Sequence, residues 1–132
     1  MIATKRLLLC DDKNVLRSAL ATLLREEHGY AVTEAARGED ALAYLLAEPC
    51  GYFDAVVMDY SLGPGLTGGE AVNAMRVKCP TQSVVFISGH DLPHDIRDHE
   101  TFLQKPVELE QIVEAVERLI RAKADTLPPE PA

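Results

Sequence analysis

Short apolar runs alternate along this chain with stretches whose apolar residues recur at helical spacing, and the runs end on polar side chains. Arg6-Leu7-Leu8-Leu9-Cys10 stops at Asp11-Asp12, Phe53 to Met58 delivers Asp59, Ser83 to Ile87 ends at Ser88-Gly89, and Thr101 to Gln104 leads into Lys105-Pro106. A continuous apolar run of this length suits a strand buried on both faces. Such strands, alternating with helices, build a parallel sheet covered on both sides and joined by right-handed crossovers. The ends of those strands meet at the carboxyl edge, where α/β folds bind their ligands. Asp11, Asp12, Asp59, Ser88 and Lys105 are therefore expected to converge. Three carboxylates, a hydroxyl and an ammonium make a site for a hard cation and a phosphoryl group.

The remaining elements follow from periodicity and punctuation. Val15, Leu16, Ala19, Leu20, Leu23 and Leu24 recur at helical spacing and Gly29 supplies a stop, which predicts a helix over 14–28. Tyr30 to Ala36 reads as a second strand. Ala41, Leu42, Leu45 and Leu46 form a second amphipathic helix that ends near Pro49. Ser61 to Gly69 holds four glycines and a proline and is a loop. A third helix over about 69–78 is closed by Pro80, and the last helix starts at Pro106 as a first-turn proline and runs to about 123. This divides the chain into one domain over 1–123 and a Pro-rich tail over 124–132.

A formal net charge of −8 over 132 residues leaves no basic patch for phosphate backbones, so nucleic acid and anionic membranes are not expected partners. No apolar stretch approaches the length of a bilayer span. Cys10, Cys50 and Cys79 fit no CxxC spacing and read as small apolar residues of a reducing compartment, and a cytoplasmic location is expected.

Taken in order, apolar-strand-DD, apolar-strand-D, apolar-strand-S-G and F-x-x-K-P resemble the receiver domain of two-component response regulators over about residues 5–123. The resemblance implies a flavodoxin-like, three-layer fold with a five-stranded parallel sheet of order 2-1-3-4-5. It implies that Asp59 is the phosphoacceptor, taking a phosphoryl group from the phosphohistidine of a histidine kinase or histidine phosphotransfer protein. Mg2+ would be held by Asp12, Asp59 and the Ser61 backbone carbonyl, with Asp11 acting directly or through water. Lys105 and Ser88 would contact phosphoryl oxygens, a cis peptide would join Lys105 to Pro106, and Phe102 would be a switch aromatic that moves with Ser88. The protein would be a signalling switch that acts on a downstream protein and no enzyme beyond its self-catalysed phosphoryl gain and loss. Without metal, the neighbouring carboxylates should raise one another's pKa values.

Two departures from the pattern matter. The loop YSLGPGLTGGE carries its proline one place late and one extra glycine. Only 16 residues separate Ser88 from Lys105, so the helix between the fourth and fifth strands is expected to be short, irregular or absent. His90, two residues after Ser88, should border the site mouth. Its companions His94, His99, Asp91, Asp95 and Asp98 read as a polar, solvated segment rather than a transition-metal site. Two alternatives stay open: a degenerate receiver used as a phosphorylation-independent binding module, and a receiver excised from a hybrid histidine kinase. A haloacid-dehalogenase-type phosphatase would need an acid at position 61, and a flavodoxin would have its flavin phosphate repelled by Asp11-Asp12.

Overall fold

The structure, a computed structural model, describes residues 4–89 and 96–126. Its elements run β1 (Arg6–Cys10), α1 (Asn14–His28), β2 (Ala31–Ala35), α2 (Gly38–Ala47), β3 (Ala55–Asp59), α3 (Gly68–Lys78), β4 (Val84–Ser88), β5 (Glu100–Gln104) and α4 (Leu109–Thr126). All strand pairs are parallel and the sheet order is β2-β1-β3-β4-β5. This is the doubly wound arrangement, with its topological switch point between β1 and β3.

Alternation along the central strands divides the core in two. Leu8, Cys10, Val56, Met58, Val84 and Phe86 face α2 and α3, where Ala41, Leu45, Val72 and Met75 cover them. Leu7, Leu9, Val57, Val85 and Ile87 face the opposite way, against Ala21 and Leu24 of α1 and Ile112, Val116 and Leu119 of α4. Burial on both faces explains why these strands carry unbroken apolar runs. The strands thus deliver their last residues to one edge, while the helices seal both sides beneath it.

Local chemistry sets the helix ends. Gly29, at φ +71°, ends α1, its N–H donating to Arg25 O while that of Tyr30 reaches Leu24 O, which satisfies the final carbonyls. Thr67 and Glu70 form a reciprocal capping box that starts α3. The last helix begins at Leu109, three residues after the expected Pro106. The reason is a cap centred on Glu108: its N–H donates to Gln111 Oε1 at 2.8 Å, and its carbonyl accepts from Gln111 and Ile112 N–H. Gly89 and residues 96–99 form no helix, and positions 90–95 lie outside the described residues.

Two of the cysteines depart from the expected free thiols. Cys50, after α2, and Cys79, at the end of α3, are joined in a disulfide with Cα atoms 5.6 Å apart. They are 29 residues apart in sequence and meet only because α2 and α3 pack side by side. Cys10 is a buried free thiol.

Candidate phosphoacceptor site

The edge beyond β1, β3, β4 and β5 gathers the expected side chains. After β1 the chain turns at Asp11, whose N–H still bonds Ala35 O of β2 at 3.1 Å. Asp11 Oδ1 accepts from the Lys13 N–H at 2.8 Å, and Arg17 Nη1 donates to the Asp11 carbonyl at 2.8 Å. Arg17 is itself paired with Glu34 of β2. The acidic turn is therefore held by the first turns of α1.

Asp59 is the last residue of β3 and only 2% exposed. Its Oδ2 accepts from Lys105 Nζ at 3.0 Å and its Oδ1 from the Ser61 N–H at 3.1 Å. Burial raises its pKa above the usual carboxylate range, Lys105 pulls it back, and Asp11 adds a smaller upward push. The expected mutual effect of the carboxylates is thus present at Asp59, but burial outweighs it. Oxygens of Asp11, Asp12 and Asp59 all lie within 4.8 Å of one another. Beneath them burial drives the Cys10 thiol up to about 12, so it stays protonated near neutral pH.

Ser88 ends β4 and is buried, and its carbonyl accepts the Lys105 N–H at 2.7 Å. That bond continues the β4–β5 pairing past Gln104 and directs Lys105 at Asp59. The Lys105–Pro106 peptide is cis, as the resemblance implied. Phe102 sits in register with Phe86 on the outermost strand and is 38% exposed. His90 lies outside the described residues, as do Asp91, His94 and Asp95.

Three further residues shape the site. Gly68 opens α3 directly beneath Asp59: a Cβ there would stand 2.1 Å from the Asp59 carbonyl oxygen. Glu39, in the first turn of α2, accepts the Leu66 N–H at 2.7 Å. Arg17 holds the Asp11 turn. Only α3's start had a readable signal, the Thr67-x-x-Glu70 pattern. A cleft of about 570 Å³ opens beside Asp12, between Arg37 and the loop residues Leu62 to Gly65.

A buried carboxylate ion-paired to a lysine, beside two further aspartates at the edge of a 2-1-3-4-5 sheet, defines a receiver-type site. Residues 7–117 match the response regulator receiver domain family, and the chain belongs to that family. It is 35% identical to the transcriptional activator protein ExaE of Pseudomonas putida over 89% of this chain and 56% of that protein. Identity is also 35% to the tetrathionate response regulatory protein TtrR of Salmonella typhimurium, over 85% of this chain and 54% of that one. The chain thus spans a little over half the length of these relatives. Among solved structures, the receiver domain of the hybrid histidine kinase CckA superposes with a TM-score of 0.74 at 34% identity, covering 87% of this chain and 98% of that one. A receiver protein from Sinorhizobium medicae superposes at 0.81 with 26% identity, covering 93% and 99%. Among the described residues, no helix is long and apolar enough to cross a membrane.

Proposed function

We propose that the chain is a phosphorylation-dependent switch in a two-component relay, with Asp59 as phosphoacceptor. The observation that carries this reading is Asp59 itself, buried, bonded to Lys105 and within reach of two more carboxylates. The donor set consists of hard oxygens, which fits Mg2+, and Asp11, Asp12, Asp59 and the Ser61 carbonyl would hold it. When bound, the ion offsets repulsion between the carboxylates and an incoming phosphoryl group. A carboxylate oxygen of Asp59 forms the new P–O bond as the P–N bond of a donor phosphohistidine breaks, and the electron pair returns to the imidazole. Lys105, already at the carboxylate, moves its charge to a phosphoryl oxygen, and the Ser88 hydroxyl donates to another. Hydrolysis reverses the state: water adds to phosphorus, the aspartate leaves as carboxylate, and inorganic phosphate departs. This self-catalysed gain and loss is the chemistry of the receiver site.

Phe102 responds to the movement of Ser88, so that phosphorylation changes a surface read by a downstream protein. Donors are a histidine kinase or a histidine phosphotransfer protein, in the cytoplasm. Likeness to a hybrid-kinase receiver, together with the partial span of the curated relatives, supports a second setting in which the same switch works inside a larger protein. The test is intact-mass spectrometry after incubation with acetyl phosphate, with and without Mg2+, beside Asp59→Ala. One Mg2+-dependent phosphoryl adduct, lost in the variant, is expected. Absence of an adduct together with no measurable Mg2+ affinity would make the chain a phosphorylation-independent binding module.

A further inference from the structure

We infer that Glu39, on a different element from every group in the acidic cluster, is a positioning residue for the phosphoacceptor site: it latches the β3–α3 loop to the start of α2. The proposal rests on the reading of Asp59 and the aspartates as a Mg2+-dependent phosphoryl site.

The loop after Asp59 has an extra glycine and lacks an obvious anchor. The structure supplies a bonded one at the far end of its glycine-rich stretch and a close approach to Asp12 at the near end. At the near end, Gly63 lies against Asp12, where a Cβ would come within 3.3 Å of Oδ2. At the far end, Glu39 Oε1 accepts the Leu66 N–H at 2.7 Å, and Oε2 accepts from Arg37. Gly65 closes onto the same carboxylate. At φ +104° it takes a conformation that side-chain-bearing residues avoid, and a Cβ there would be 2.7 Å from both Glu39 oxygens. Gly38, beside Glu39, is pressed against Leu66, with an added Cβ 3.1 Å from the Leu66 carbonyl oxygen. The fit is mutual: two glycines remove the bulk that would hold loop and helix apart, and one carboxylate bonds across the gap.

The latch matters because the segment it closes starts at Ser61, whose N–H is bonded to Asp59 Oδ1, and passes Gly63 at Asp12. Fixing Leu66 removes freedom from a loop that touches two of the three aspartates. Outer partners that orient metal ligands typically change affinity by about 10–100-fold when removed. Glu39 acts through backbone rather than through a ligand side chain, so the low end of that range applies.

The test measures Mg2+ affinity by calorimetry and, separately, the Mg2+ dependence of acetyl-phosphate labelling by intact mass, in the parent, Glu39→Ala, Glu39→Gln and Gly65→Ala. Glu39→Ala should weaken Mg2+ binding roughly tenfold and raise the Mg2+ concentration for half-maximal labelling, while the rate at saturating Mg2+ stays near the parent's. Glu39→Gln keeps an acceptor for Leu66 and should stay close to the parent. Gly65→Ala should reproduce the loss, and adding it to Glu39→Ala should cost less than it does alone. An unchanged affinity in Glu39→Ala, or a Gln variant as impaired as the Ala variant, overturns the latch while leaving the phosphoacceptor intact. A parent that neither binds Mg2+ nor takes a phosphoryl group removes the underlying reading and the latch with it.

Discussion

Replacing Gly68 by alanine probes the tightest contact beneath Asp59. An added Cβ would stand 2.1 Å from the Asp59 carbonyl oxygen, 2.8 Å from Tyr60 Cα and 2.9 Å from the Asp59 carbonyl carbon. Carbon and oxygen rest about 3.3 Å apart in close contact, so the methyl demands roughly 1.2 Å of extra space (about 3.3 minus 2.1). Every atom in the way is backbone, and no rotamer change relieves it. Either the end of β3 or the start of α3 must move, which places the cost at the top of the overpacking range, about 3 kcal/mol. Gly69→Ala is the matched control. Its nearest neighbour is the Tyr60 ring at 3.0 Å, which can swing, and alanine gains about 0.5–1 kcal/mol over glycine within a helix. At about 4 °C per kcal/mol for a domain of this size, thermal unfolding should fall by about 12 °C in Gly68→Ala and by about 2 °C or less in Gly69→Ala. Labelling by acetyl phosphate should slow only in the first, because only there is the Asp59 backbone displaced. Equal melting temperatures in the two variants would refute the packing argument.

Two further outcomes follow from buried charges. Asp59 has its pKa raised by burial, so the folded state binds its proton more tightly than the unfolded chain, and the parent loses stability as pH rises from the usual carboxylate range through the raised value. In metal-free buffer Asp59→Asn should be more stable than the parent above that window and equal to it below, and urea unfolding against pH should show the gap closing; a gap independent of pH would reject burial as the cause. Glu100, whose side chain is fully buried, is held by Arg76, with Arg76 Nε donating at 3.0 Å. Arg76→Met should therefore destabilise by about 3 kcal/mol, and Arg76→Met with Glu100→Leu should recover most of it; a double variant no better than the single would contradict this.

The strands and the residues at their ends were legible because burial on both faces makes an apolar run conspicuous and each polar stop marks the sheet edge. Asp59 and Lys105, 46 positions apart, meet at 3.0 Å for that reason alone. The start of α4 was not legible, because Pro106 carries a strong first-turn signal and the Glu108–Gln111 cap that overrides it has capping-box spacing but no serine or threonine at its first position. Cys50 and Cys79 gave no warning of their pairing, since it depends on α2 lying beside α3. Glu39 looks like any acid in a first helical turn, where the helix dipole favours one. Gly68 is one of four glycines between Ser61 and Gly69, and only the packing against Asp59 separates it from the rest.

Lys105 hangs from β5, and β5 is an edge strand, paired on one side only. The three aspartates sit on interior strands or directly after them, whereas their counter-charge is carried by a strand at the sheet's edge. Opening of β5 with α4 is a smaller event than opening of the sheet, and it would withdraw the ammonium from Asp59. The electrostatic balance at Asp59 is thus tied to how firmly this edge strand is docked. A protein that gripped β5 and α4 would act on Asp59 without touching it, through a single lysine.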